Sequence, residues 1–407
     1  MLDFDSVPKA TRDAFRKDRV SGLLVGLYSG SIFPFVAIIA RGQLHASELM
    51  ISLMVAAPFI GNLFSLFWAR SMEGRPKMPF VVWPTTIGRV LFILMIFRAT
   101  PLTFALIVSA SHILSTISSP AYAAIIKAIY PNDSRGRLMA YVKVVIMAAM
   151  MLSTFVAGKL LEGASYRYVF SISALFGVAS SLVFSTINAD PPGQNSPLPP
   201  TRQFLIDTIG ILKQDLGFRW FALSVFVFGF ANILLAPIYP IFEVDRLHVT
   251  TLQAAILANI ASVIWMVMYL YWGHYVDNNN PLSGVVICVF LSSLIPINYF
   301  FAQSIWMLIP AYAVAGVVNA GIELSYFNAI LHFAPEERVS QYQALFQSLL
   351  AVGGAVAPFI GSALMASFKS IGWDYKYIFL IAVIGMWAGG GMQLFGVRGR
   401  YTGIKDE

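Results

Sequence analysis

The sequence predicts an all-α integral membrane protein that consists of two six-helix bundles. Of its 407 residues, 58% are hydrophobic and 12% are charged, which is about half the charged fraction of an average soluble protein. Twelve apolar runs are long enough to cross a bilayer as helices. Several features of the first half recur about 203 residues later. An ordinary soluble enzyme is therefore excluded.

Each predicted span is an apolar run of about 20 residues, the length at which a helix crosses the hydrocarbon core while satisfying its own backbone hydrogen bonds. The spans are expected at residues 20–40, 47–68, 80–97, 102–129, 138–161, 168–187, 220–242, 251–271, 282–301, 305–333, 342–368 and 377–396.

Basic residues lie in short clusters between the apolar runs, which argues against nucleic-acid binding despite a net charge of +7. With the N-terminus placed in the cytoplasm, 19 of the 27 basic residues fall on the cytoplasmic side and 7 on the outer side. This imbalance follows the positive-inside rule. We therefore expect a multi-pass protein of a plasma membrane or bacterial inner membrane, with both termini cytoplasmic.

The longest stretch that is not apolar divides the predicted spans six and six. It begins with a proline-rich segment, which cannot continue a helix, and ends with a mixed-charge segment whose apolar period suits a helix on the membrane surface. The predicted organisation is a cytoplasmic N-terminal segment (1–19), a six-helix bundle (20–188), a cytoplasmic linker (189–218), a second six-helix bundle (219–397) and a cytoplasmic tail (398–407).

Matching residues in the two halves indicate a duplicated six-span unit. Leu44–Ser47 opens the second span as Leu247–Thr250 opens the eighth, and Ser47 and Thr250 are suitable helix N-caps. The other matching pairs are Gly26 with Gly229, Pro34 with Pro237, Trp68 with Trp272, and Pro131 with Pro335.

A parallel duplication with a long inner linker resembles the major facilitator superfamily of secondary transporters over essentially the whole chain. The loop after span eight keeps Gly273 and Asp277 of the family's G-x-x-x-D-R-x-G-R-[RK] motif, whereas the loop after span two has only a degenerate copy. The resemblance implies two bundles related by pseudo-two-fold symmetry. It also implies a cytoplasmic gate in which acidic and basic loop residues pair across the halves: Glu73, Arg75, Gly273, Asp277, Arg135 and Arg338.

Two departures from the family argue against a drug/proton antiporter. Val108 stands where span four often has an arginine, and span five lacks the glycine-proline pattern of many antiporters. For Lys77 and Arg137 a purely topological role is the simpler interpretation.

Few ionisable residues lie within the predicted spans, and each is a functional candidate because such residues are costly in hydrocarbon. Under the repeat, Ser115 and Ser119 of span four correspond to Asn319 and Glu323 of span ten, which is expected if both helices line a shared pathway. For the serines, helix packing is an equal alternative. The predicted substrate and proton pathway comprises Glu323, Asn319, Tyr326, Arg89, His112, Ser115, Ser119, Asn232, Gln343 and Gln347.

We therefore expect a proton-coupled secondary active transporter that moves a small molecule by alternating access, with a slight preference for efflux of an amphipathic compound. The alternatives are an uptake permease for a nutrient or a siderophore-like solute, and a non-transporting receptor on the same scaffold. Neither a Walker motif nor an H-E-x-x-H motif occurs, so we expect no enzymatic activity. The expected partners are a small-molecule substrate, protons and the lipid bilayer, with no cofactor or metal, and the chain is expected to be a monomer.

Overall fold

The computed structural model describes residues 9–72, 74–131, 134–188, 210–335 and 338–397, and within these ranges all regular structure is helical. The chain divides into two compact units. The described residues up to 188, together with Thr250–Ile256, belong to the first unit, and the remainder belong to the second.

The helices of the first unit are α1 (Lys9–Ile32), α2 (Val36–Gly42), α3 (Glu48–Leu63), α4 (Ser65–Ser71), α5 (Met78–Ile93), α6 (Pro101–Ile129), α7 (Arg135–Gly163) and α8 (Tyr166–Ser185). Short 3₁₀ turns follow α1 and α5, at Phe33–Phe35 and Leu94–Ile96.

The later helices are α9 (Leu216–Leu234), α10 (Ile238–Asp245), α11 (Thr251–Asn278), α12 (Pro281–Ser292), α13 (Leu294–Phe301), α14 (Ile309–Phe333), α15 (Val339–Ser370) and α16 (Tyr377–Gly391). A 3₁₀ turn at Ile305–Leu308 precedes α14, and a π-helical segment, Met392–Val397, follows α16.

The repeat predicted from the sequence recurs as backbone geometry. The first helix of each half is interrupted at its proline: α1 gives way to α2 around Pro34, and α9 gives way to α10 around Pro237. His45 and His248 then both adopt left-handed backbone conformations, with φ of 53° and 51°.

The hydrogen bonds around these two histidines also correspond. Leu44 donates its backbone N–H to Ile39 and Leu247 donates to Phe242, at 3.1 and 3.3 Å. The predicted N-caps are confirmed, because the hydroxyl of Ser47 accepts from the N–H of Met50 at 3.4 Å and that of Thr250 from Gln253 at 3.2 Å.

Eleven helices within the described residues are long and apolar enough to span a membrane. The second predicted span differs from the expectation of a continuous helix over 47–68. Its apolar helix stops at Leu63, because the N–H of Phe64 bonds to Gly61 in a tight turn, and α4 continues after it. The first span also differs, since α1 begins at Lys9 and not at residue 20.

The predicted linker lies mostly outside the described residues, which resume at 210. Residues 210–214 are helical, and Asp215 then caps α9 by accepting a 2.8 Å hydrogen bond from the N–H of Phe218. The Tyr342 hydroxyl donates to the second oxygen of Asp215 at 2.9 Å, which ties this helix start to α15.

Close packing of α1 against α7 and α8 shapes the interior of the first unit. Gly26 and Gly30 let α1 approach the backbone of α7, and the Thr154 hydroxyl donates to the Gly30 carbonyl at 2.9 Å. On the side facing α8, Ser21 and Ser180 exchange hydrogen bonds. A cavity remains where α1, α5, α6 and α8 meet.

Candidate functional site

The first unit contains a partly open cavity of about 330 Å³ lined by residues of α1, α5, α6 and α8, with Ile146 of α7 at its wall. Two charged side chains, Asp18 and Arg89, line it. Eight residues with hydroxyl groups also line it: Ser21, Thr85, Ser115, Ser118, Ser119, Tyr122, Ser180 and Ser181. The cavity therefore combines opposite charges with hydrogen-bonding groups inside a bundle of membrane-spanning helices.

Arg89 lies within α5, and α8 holds its side chain in place. Its Nη1 donates to the Gly177 carbonyl at 2.6 Å and to the Ser181 hydroxyl at 2.5 Å. The guanidinium carbon lies 5.6 Å from the centroid of the Tyr28 ring, a distance at which a cation is attracted to an aromatic face. These contacts hold a cation in the bilayer interior without using all of its donors.

Asp18 lies in the first part of α1, and its side chain is only 3% exposed. The Tyr130 hydroxyl, just after α6, donates to its Oδ2 at 2.6 Å. Asp18 falls in the predicted cytoplasmic N-terminal segment (1–19) and is not among the predicted site residues. Its spacing from the buried residues Ala14, Ser21 and Gly22 continues one helical face of the first span and could have revealed it.

Serine and threonine hydroxyls connect the helices between these two charges. The hydroxyls of Ser21 and Ser180 lie 2.9 Å apart, and those of Thr85 and Ser181 lie 3.3 Å apart. Thr85 also donates to the Val81 carbonyl of its own helix at 2.6 Å. These bonds are of the helix-packing kind that is the alternative role for membrane serines, although Thr85, Ser180 and Ser181 are not among the residues predicted from the sequence.

The structure brings three predicted pathway residues to this cavity: Arg89, Ser115 and Ser119. His112 does not line it. Its partly buried ring instead packs against Phe33, with centroids 5.1 Å apart. Within the described residues no group of three or more His, Cys, Asp or Glu side chains could hold a metal ion.

Helices α6 and α14 are the predicted spans four and ten, and the residues that correspond under the repeat are also similar in exposure. Ser115 and Ser119 are exposed on α6, and Asn319 and Glu323, their counterparts, are exposed on α14. Tyr326 differs, because its hydroxyl is buried with no hydrogen-bond partner among the described residues and its ring packs on Phe346 at 5.3 Å.

The remaining predicted pathway residues lie on α9 and α15. Asn232 and Gln343 are partly buried, and Gln347 is exposed. Their common role with Glu323 stays a prediction.

The second unit contains a buried carboxylate that is not among the predicted site residues. Glu243 is 3% exposed and accepts hydrogen bonds from the hydroxyls of Tyr299 and Tyr312, the second at 2.8 Å. The predicted seventh span ends one residue earlier, at 242, which leaves Glu243 outside it. Its position one turn after Tyr239, in a segment with helical apolar spacing, is the signal that could have revealed it.

The predicted gate residues occupy different surroundings. Asp277 and Arg75 are exposed, and Gly273 is partly buried with open space beside its α-carbon. Arg135 donates from Nη2 to the carbonyls of Lys127 and Tyr130, at 3.0 and 3.1 Å, while Nε of Arg338 donates to Gln341 at 2.9 Å. Glu73 lies outside the described residues.

Comparisons with known proteins agree with this architecture. The family model of the Major Facilitator Superfamily matches residues 20–358. No curated protein matches the sequence.

Two solved structures illustrate the likeness of fold. A mutant of the nucleoside transporter NupG is similar with a TM-score of 0.79 and 13% identity, covering 94% of this chain and 99% of that one. A bacterial homologue of the human lysosomal transporter Spinster, inward-facing and occupied, is similar with a TM-score of 0.73 and 15% identity, covering 97% and 99%. The chain is a multi-pass membrane protein that belongs to the Major Facilitator Superfamily, and it is a transporter and not an enzyme.

Proposed function

We propose that this chain is a secondary active transporter that moves a small molecule by alternating access and couples that movement to protons through Glu323. The observation that carries the proposal is the position of Glu323, an exposed carboxylate within a membrane-spanning helix.

Helix α14 has one face packed in its unit and one face open. Gly321, Ser325 and Ala329 are buried, and Gly321 lies against Trp272 and Cys288. The open face carries Asn319 and Glu323 at a spacing of one helical turn. Exposing a carboxylate to hydrocarbon costs roughly 2.5–3.5 kcal/mol on insertion scales. This face is therefore better suited to an aqueous pathway than to lipid.

A carboxylate on such a pathway can link transport to a proton gradient. If its surroundings differ between two states of the transporter, it binds a proton more tightly in one state than in the other. Proton binding and solute binding then influence each other reciprocally. Phe327 lies one further turn along and is 54% exposed, which supplies an apolar contact for a solute at the same face.

Glu323→Gln tests this role, because glutamine keeps the size of glutamate but cannot titrate. The first step is a thermal-shift screen that selects a compound bound by the purified protein. The selected compound is then labelled and added to proteoliposomes across which a pH gradient is imposed. We expect the variant to bind and exchange this compound but to lose gradient-driven accumulation.

The matched control is Glu162→Gln, which removes an exposed carboxylate at the end of α7 and should leave accumulation unchanged. Full accumulation by Glu323→Gln under a pH gradient would eliminate Glu323 as the proton carrier and would direct attention to His112.

The direction of transport is proposed as efflux of an amphipathic compound. A second candidate, uptake of a nutrient or siderophore-like solute, is favoured by the charged and hydroxyl-rich cavity beside Arg89 and Asp18. A nucleoside transporter is among the proteins of similar fold, and a nucleoside would also bring several hydroxyl groups. Solute accumulation in right-side-out and inside-out vesicles separates efflux from uptake, and binding with no flux in either would establish a receptor.

A further inference from the structure

The cavity of the first unit holds one cationic and one anionic side chain that do not pair with each other. Arg89 and Asp18 both line it, and no ion pair joins them within the part of the chain that the structure describes. A charge inside the bilayer costs several kcal/mol. Neutral hydroxyl and carbonyl partners compensate for this less fully than an opposite charge does.

Both side chains retain hydrogen-bonding capacity. Arg89 uses only Nη1 with its described neighbours, so Nε and the two hydrogens of Nη2 are available to another acceptor. Asp18 accepts from Tyr130 at Oδ2, and no described residue donates to Oδ1. The cavity thus presents a planar group of donors at Arg89 and an open acceptor at Asp18.

The spacing of the two charges follows from their contacts with α1. The guanidinium of Arg89 contacts the ring of Tyr28, ten residues after Asp18, and bonds to Ser181. Ser180, the neighbour of Ser181, is paired with Ser21, three residues after Asp18. At 1.5 Å per residue, the guanidinium lies roughly 5–15 Å from Asp18 along the helix axis. Over most of this range, a molecule that contacts both needs an extended shape.

The space between the charges suits a small polar molecule. Its volume of about 330 Å³ falls within the range of small-molecule sites, which begins at about 300 Å³. Ser118, Ser119 and Thr85 present hydroxyl groups along this space.

We propose that this cavity is a binding site for an elongated zwitterion, with the anionic group of the ligand on Arg89 and the cationic group on Asp18. An α-amino acid is a poorer ligand, because its two charges are separated by a single carbon atom and reach both side chains only at the short end of the estimated separation. That this zwitterion is the transported solute rests on the proposed function, whereas its binding does not.

The probe is 5-aminovalerate, whose charges lie at opposite ends of a five-carbon chain. Three matched compounds isolate each requirement: its isomer norvaline has adjacent charges, pentanoate has only the anion and pentylamine has only the cation. Calorimetric titration of the purified full-length protein in detergent gives the four dissociation constants. We expect 5-aminovalerate to bind at least tenfold more tightly than each of the others.

Two charge variants test the assignment of each end. Asp18→Asn should remove the preference for 5-aminovalerate over pentanoate, and Arg89→Gln should remove the preference over pentylamine. If Arg89→Gln fails to fold, because Arg89 links α5 to α8, Arg89→Lys keeps the cation and should keep the preference. Ser118→Leu fills the cavity without changing a charge and should weaken binding of 5-aminovalerate at least tenfold.

Equal affinity for 5-aminovalerate and norvaline would overturn the proposal, and so would a preference over pentanoate that survives Asp18→Asn. Glu323→Gln should leave these constants unchanged, because Glu323 lies in the other unit. If 5-aminovalerate binds selectively and Glu323→Gln leaves gradient-driven transport unaffected, only the proposed coupling is refuted. If Glu323→Gln loses coupling but the native protein does not bind 5-aminovalerate selectively, only the zwitterion site is refuted.

Discussion

Tyr312 donates a hydrogen bond of 2.8 Å to Oε1 of Glu243. Tyr299 donates to the same oxygen, so two phenol groups, from α13 and α14, hold one carboxylate of α10. Within the described residues no cation pairs with Glu243, which is only 3% exposed. The two hydroxyls are therefore its compensating partners, and they tie the short helix after Pro237 to the rest of the second unit.

Tyr312→Phe should lower the thermal stability of the protein, because it removes one donor from a buried carboxylate at a cost of about 1–3 kcal/mol. Differential scanning fluorimetry in detergent measures the effect. Tyr271→Phe is the control, since Tyr271 is 58% exposed and should tolerate the change. A melting temperature unchanged by Tyr312→Phe would show that this hydrogen bond contributes nothing to stability.

Asp277→Asn should bias the transporter toward its inward-open state if Asp277 holds the cytoplasmic gate closed. Labelling of Ser115→Cys and Ser119→Cys from the cytoplasmic side measures this bias, with Cys288→Ser as the background. We expect several-fold faster labelling in the variant. Asp374→Asn serves as the control, because Asp374 instead pairs with Arg246 at 3.2 Å. Identical labelling rates with and without Asp277 would reduce it to a topological charge.

The left-handed backbone at His248 predicts an unusual response to substitution. A residue with a β-carbon at positive φ costs of order 1 kcal/mol or more, and glycine avoids that strain. His248→Gly should therefore match or exceed the melting temperature of the native protein, whereas the β-branched His248→Val should lower it.

His274→Gly is the comparison for this substitution, because His274 lies within α11 and glycine in a helix costs about 1 kcal/mol. The same pattern is expected at His45, its counterpart in the first half. Destabilisation by both glycine substitutions to the same degree would argue against strain at His248.

Stability at alkaline pH should depend on Tyr375, which lies between two membrane-spanning helices. Burial raises the pKa of Tyr375 from 10.0 to about 12, and the nearby charge of Arg246 opposes part of this rise. The folded state therefore holds the phenol proton more tightly than the unfolded state. The stability that this provides is fully present below pH 10 and is lost as the pH rises from 10 to 12.

Tyr375→Phe removes this titration and should flatten the fall of melting temperature over that interval. Absorbance at 295 nm reports phenolate formation directly, and the variant should lack a component that titrates near pH 12. An identical pH profile in both proteins would mean that Tyr375 ionises as readily when folded as when unfolded.

The sequence by itself determined the features that depend on local physics. Apolar runs of sufficient length require membrane-spanning helices, because a bilayer offers no other partners for backbone groups. The N-caps at Ser47 and Thr250 act on backbone groups within a few residues. Pro34 and Pro237 are recognisable as matching positions of the repeat, whereas the interruption of each helix there is a finding of the structure. The duplication can be recognised in the sequence because the repeated residues also act locally.

Tertiary structure decided which polar groups meet. Arg89 was recognisable as an intramembrane cation, but its contacts with Gly177 and Ser181 arise from the packing of α5 on α8, which no local pattern encodes. Asp18 and Glu243 lie outside the predicted spans because hydropathy places a span boundary where charges begin. The helices continue through those boundaries. Buried hydroxyls from helices distant in sequence then stabilise each carboxylate, and such long-range compensation is set only when the chain packs.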